Sequence, residues 1–182
     1  MKYLNVFLTN LGKYNEGELV GEWIELPLSE EEIEDAKKRI GIGETDEFGQ
    51  PYEEYFITDY ESYIGSHSFG EYENIYEINE TIQEIADCVT TEDELEIFKA
   101  ILDDVYGIDE AISIFRNQDY IDYSDCKSMY EVAEEIVYEG GYLRDAPKLL
   151  ADYFDYEAFG RALEINDHFV QMENGGYIQV IR

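Results

Sequence analysis

Five carboxylates, Glu73, Glu77, Glu80, Glu84 and Asp87, recur at intervals of four, three, four and three residues, and Ile75, Ile78, Ile82 and Ile85 fill the gaps. At about 100° per residue the acids fall on one narrow stripe and the isoleucines, with Ala86, on the other side. The spacing predicts a helix over residues 71–87 that buries isoleucine and displays a line of negative charge. Like charges three or four residues apart each destabilise a helix by roughly 0.2–0.5 kcal/mol, so the four pairs together cost about 1–2 kcal/mol. That is a noticeable part of a folding stability near 5–15 kcal/mol. A face selected only for solubility would mix in lysine and turn the repulsion into attraction.

The stripe belongs to a wider imbalance. Residues 40–115 hold 21 acidic residues and one basic residue, Lys99. The whole chain has 44 Asp and Glu against 12 Lys and Arg, a net charge of −32. Small soluble domains need a magnitude of only about 2–8. Yet 45% of the residues are hydrophobic and 15% aromatic, including 17 Tyr, which is the composition of a folded chain and not of an acidic tail. Binding to nucleic acid or to an anionic membrane requires a basic patch, so both are disfavoured and a basic partner is expected. Halophilic adaptation also raises Asp and Glu, but it does not require their concentration in mid-chain.

Local signals divide the chain into three parts. Residues 3–9 and 19–26 read as antiparallel strands joined by a long turn from Asn10 to Glu18. Ser29 with Glu32 forms a capping box for a helix from Glu30 to Ile40, and residues 53–60 read as a third strand. This α+β unit is assigned to residues 1–62. Residues 63–118 read as an acidic helical middle domain. It contains the striped helix, a second helix capped by Thr91 and Glu94 and running to Val105, and a short third from Asp109 to Phe115. In the second helix Glu92, Glu96 and Asp103 share one face with Lys99, opposite Leu95, Phe98 and Leu102. Residues 119–182 read as mixed again. Helices are expected at 128–138, after Pro147 and at 155–165. Closing strands at 168–172 and 176–181 flank the turn Glu173 to Gly176. The terminal strand could pair within its domain or across a dimer.

Signatures of catalysis are absent. His67 and His168 are isolated, and no His-Glu-x-x-His zinc motif occurs. The segment around Gly107 places Leu102 and Tyr106 where a calcium loop needs oxygen ligands. Gly12 to Gly21 lacks the Gly-Lys-Ser/Thr of a phosphate loop and carries Glu16 and Glu18. Among 44 acids, a carboxylate pair fit for hydrolysis is uninformative. No cofactor or metal is expected. Cys88 and Cys126 read as reduced thiols of a cytoplasmic protein, although two cysteines could also form one disulfide. No segment approaches the ~20 apolar residues of a membrane span.

Four blocks, in order, resemble the ArdA family of antirestriction proteins. The first is VFLTNLGKYNEGELVGEWIELP (Val6 to Pro27), with Asn10-Leu11, Gly12 to Gly17, Leu19, Gly21, Trp23 and Pro27 as the matching features. EEYFITDYE (Glu53 to Glu61) resembles the family's third strand. SDCKSMYEVAEEIV (Ser124 to Val137) resembles the segment with its antirestriction motif, and YFDYEAFGRAL (Tyr153 to Leu163) its late helix.

The resemblance implies an elongated chain of three small domains, mixed α/β at both ends with a helical middle, pairing as a homodimer through the C-terminal domain. It implies a non-enzymatic inhibitor, encoded on conjugative plasmids or transposons, that imitates B-form DNA. Its target would be the DNA-binding groove of a Type I restriction-modification enzyme, in the methyltransferase core with its specificity subunit. DNA carries about two charges per base pair, so −32 corresponds to roughly 16 base pairs and a dimer to roughly 32. The acidic surface is assigned to Glu73, Glu77, Glu80, Glu84, Asp87, Glu92, Glu96 and Asp103. Met129, Tyr130, Val132, Ala133, Ile136 and Val137 are candidates for the motif's function or for dimer packing, and such an apolar face is usually core. The competing readings are an acidic binding module that inhibits or chaperones another basic DNA-binding protein, and a carboxylate-based hydrolase.

Overall fold

A computed structural model describes residues 1–181. Eight helices and six strands lie among the described residues, and the strands form two three-stranded antiparallel sheets. The chain divides into two compact units, Met1–Glu92 and Asp93–Arg182.

In the first unit, β1 (Leu4–Asn10) is the central strand, between β2 (Gly21–Leu26) and β3 (Tyr55–Ser62). Alternation along β1 buries Leu4, Val6 and Leu8 and leaves Phe7 partly exposed on the other face, as a two-residue period requires. The segment expected to be a turn after β1 holds a short helix, α1 (Leu11–Asn15). Buried Asn10 causes this: its Oδ1 accepts the Lys13 N–H at 3.0 Å, and its Nδ2 donates to the Ile40 carbonyl at 3.0 Å. The capping box of Ser29 and Glu32 is formed and opens α2 (Glu30–Arg39), which buries Ile33 and Ala36. Gly41 ends it with φ +86°, a left-handed conformation natural to glycine.

The striped helix is α3 (Ile75–Cys88), shorter at its start than the spacing predicts. Asn74 caps it by accepting the Tyr76 N–H at 2.9 Å, and the Glu71 carbonyl is already taken by the Ile57 N–H of β3 at 2.8 Å. Residues 71–73 are thereby drawn toward the sheet edge instead of into the helix.

The second unit begins with α4 (Glu92–Asp104) and α5 (Ile108–Asn117), which bury Phe98 and Phe115 edge to face with centroids 5.9 Å apart. A strand that sequence reasoning missed, β4 (Tyr120–Tyr123), follows. Next come α6 (Met129–Glu139), α7 (Lys148–Asp152) and α8 (Tyr156–Asn166), then β5 (Phe169–Gln171) and β6 (Tyr177–Val180). The sheet order is β4-β6-β5, so the terminal strand pairs on both sides within its own chain. Its tight turn reaches φ +84° at Gly175.

Candidate functional site

Three attachments fix the roll of α3 about its axis. Ile75, Ile78, Ile82 and Ile85 are buried. Asn79 donates to the Leu28 carbonyl at 2.9 Å and accepts the Leu28 N–H at 2.7 Å. The Tyr76 hydroxyl meets the Glu34 carboxylate and the Lys37 ammonium of α2. With that face held, Glu77, Glu80, Glu84 and Asp87 stand exposed on the other. From Glu77 to Asp87 is eleven residues, about 15 Å along the helix axis, or one charge per roughly 5 Å. A DNA strand presents one per roughly 3.4 Å. Asp87 also accepts from the Gln83 amide at 2.7 Å. Glu73 lies before the helix, exposed, where it accepts the Gly70 N–H at 2.9 Å.

α2 is the internal comparison. It places Glu30, Glu31 and Glu32 in its first turn and Lys37, Lys38 and Arg39 in its last, the order the helix dipole favours. Its ion pairs are intimate: Lys37–Glu34 at 2.7 Å, Lys38–Asp35 at 2.9 Å and Arg39–Glu22 at 2.6 Å. The hydrogen bonds from Lys37 and Tyr76 hold the Glu34 carboxyl below the usual range. α3 has no Lys or Arg and ends with Asp87 in its last turn, against the dipole. The same unit therefore builds one helix with matched charge and one without.

On α4, Glu92 and Asp103 are exposed and Glu96 is half-buried. Leu95, Phe98 and Leu102 are buried as the periodicity predicts. Lys99 does not offset the surface freely: its ammonium lies 2.9 Å from Glu96 and 3.3 Å from Glu173. Burial works against its charge, but these two partners prevail and raise its pKa. The acidic surface extends beyond the assigned residues. Asp93, Asp122 and Asp125 line a depression of about 300 Å³ that also includes Ser124 and Asn174. Asp122 and Asp125 come from around β4, which had no sequence signal. Among the described residues no group of three His, Cys, Asp or Glu side chains could hold a metal ion. His67 packs against Phe69, and His168 lies 3.6 Å from Asp104.

The motif candidates sit elsewhere. Met129, Val132, Ala133 and Val137 are buried on the inner face of α6, Ile136 is half-buried and Tyr130 is exposed. Met129 and Val132 join Tyr123 and Cys126 in a cluster against which Leu163, Phe169 and Tyr177 pack. Tyr130 meets Tyr156 edge to face at 5.7 Å and donates to Glu134 at 3.1 Å.

No helix among the described residues is long and apolar enough to cross a membrane. The family model described as "Antirestriction protein (ArdA)" matches residues 6–179. No curated protein matches the chain.

Proposed function

The chain belongs to the ArdA family of antirestriction proteins, and on that premise we propose that it is a non-enzymatic inhibitor that occupies the DNA-binding site of a Type I restriction-modification enzyme by imitating B-form DNA. The observation that carries this reading is the exposed carboxylate row of α3, a helix that itself contains no Lys or Arg, held in one orientation by four buried isoleucines and the Asn79 clamp. Restriction enzymes grip DNA largely through Lys and Arg contacts to phosphate that carry no sequence information. Carboxylates at comparable spacing meet the same cations and exclude the duplex. Asp93, Asp103, Asp122 and Asp125 extend the same kind of surface in the second unit.

The protein acts in this reading as a homodimer. Large exposed apolar side chains in the second unit support pairing there: Leu149, Leu150, Tyr153 and Ile165 are each more than 60% exposed. Contiguous exposed apolar surface marks association sites, and Leu149, Leu150 and Tyr153 lie together on and directly after α7.

Each exposed ion pair is worth only about 0–1 kcal/mol, so affinity has to come from many of them. The test is displacement of a fluorescent cognate duplex from a purified Type I methyltransferase. Glu80→Gln is expected to change the half-displacing concentration by no more than about fivefold. Joint replacement of Glu77, Glu80 and Glu84 by Gln and Asp87 by Asn is expected to raise it at least about tenfold. Loss of all displacement in Glu80→Gln alone, or no displacement by the unaltered protein, would overturn the reading.

A further inference from the structure

The outward face of the first sheet carries a second feature, different in kind from the acidic row. Here an open groove of about 630 Å³ is floored by aromatic rings. Phe7 and Trp23 are cross-strand partners with centroids 5.4 Å apart. Phe56 lies between Tyr14, edge-on at 5.1 Å, and Tyr72, stacked at 5.9 Å. Trp23 is 47% exposed, Tyr14 50%, Leu19 67% and Tyr72 73%. Two carboxylates, Asp59 and Glu71, complete the lining, which contains no Lys, Arg or His.

The groove is built in advance. The Glu71–Tyr72 segment is tied to β3 by the Ile57 N–H on the Glu71 carbonyl. Thr9 and Thr58 share a hydrogen bond of 2.8 Å beneath it, at the register shift between Phe7 and Leu8. Open aromatic faces carry partial negative charge and attract cations. Beside two carboxylates they suit a cation that is flat, weakly hydrated and able to hydrogen-bond in its plane. A guanidinium has those properties, whereas an ammonium is compact and strongly hydrated. A nucleobase could stack here too, but its phosphates would meet a chain of net charge −32.

We propose that this groove receives an arginine side chain of the basic protein partner. The inference rests on the proposed function only for the existence of that partner. Ion pairs along an exposed helix weaken as salt shortens the screening length, from about 10 Å at 0.1 M to about 3 Å at 1 M. Stacking in the groove depends less on salt, so the groove supplies the salt-resistant part of the contact.

Trp23 is the chain's only tryptophan, so its emission reports on the groove directly. The full chain is titrated with dye-labelled hexa-arginine and hexalysine peptides in about 0.1 M and about 1 M NaCl, recording dye anisotropy and Trp23 emission together. The expected result is a saturable change in Trp23 emission with hexa-arginine. At high salt hexa-arginine should bind at least about fivefold more tightly than hexalysine. Tyr72→Ala and the isosteric Asp59→Asn should each remove most of that preference, and Tyr72→Phe should restore it. Exposed Tyr72 contributes little to the core, and circular dichroism verifies the fold of each variant. Binding without a change in Trp23 emission, equal affinity for the two peptides, or unaltered affinity in Tyr72→Ala overturns the proposal. So does self-association of the chain that Tyr72→Ala abolishes, because the occupant is then a second copy. Duplex displacement separates the two ideas. If Tyr72→Ala displaces duplex as well as the unaltered chain at high salt, the groove proposal fails alone. If the unaltered chain displaces nothing yet hexa-arginine reports at Trp23, the DNA-mimic reading fails alone.

Discussion

Gly160 sets how closely α8 approaches α6. A methyl group there would overlap the Met129 carbonyl oxygen, which belongs to backbone and cannot swing aside. Alanine would gain about 1 kcal/mol in helix propensity. The overlap should outweigh it, and Gly160→Ala is expected to lower stability by about 1–3 kcal/mol, read as a drop in Tm by near-ultraviolet circular dichroism. Cys126 makes a second residue-level case. Burial, and then its hydrogen bond to Glu135 at 3.2 Å, push the thiol up to about 12. The folded chain keeps a proton that the unfolded chain releases above its ordinary value of 9.0. Stability is thus full below that value and declines as pH climbs toward about 12. Tyr123 and Tyr177, raised by burial first, act in the same direction. Cys126 should resist Ellman's reagent at about pH 8 until urea unfolds the chain. The urea midpoint should fall from pH 9 upward, less so in Cys126→Ala.

At the scale of elements, α2 and α3 show what the acidic row costs. Three like-charge pairs remain on α3, Glu77–Glu80, Glu80–Glu84 and Glu84–Asp87, together worth about 0.6–1.5 kcal/mol of destabilisation. Neutralising all four acids should therefore raise stability by about 1 kcal/mol while weakening duplex displacement. A loss of both would mean that the carboxylates support the fold. The row could be read from the sequence because its signal is local: isoleucine and glutamate alternate with the helix period inside one segment. Capping at Ser29 and Asn174's turn were legible for the same reason. β4 was not, since four residues with Asp122 among them show no alternation, and only pairing with β6 makes them a strand. Gly12, Asn15 and Gly17 suggested a turn where the cap at Asn10 winds α1. The aromatic groove was invisible because Phe7, Tyr14, Trp23, Phe56 and Tyr72 lie far apart along the chain and meet only on the folded sheet.

At the scale of the whole molecule, salt should move stability and inhibition in opposite directions. A net charge of −32 repels itself, and screening relieves that strain. Raising NaCl from about 0.1 to about 0.3 M should increase Tm while raising the half-displacing concentration several-fold. A parallel fall in both would contradict an electrostatic basis for either. The order β4-β6-β5 has a further consequence for how the second unit forms. Its middle strand comes after both neighbours in the chain, so β4 and β5 bare their edge amides and carbonyls until β6 slots between them. Open edges of that sort invite neighbouring polypeptides to join and aggregate. Mutual repulsion between chains of such negative charge opposes that joining while the edges stand open.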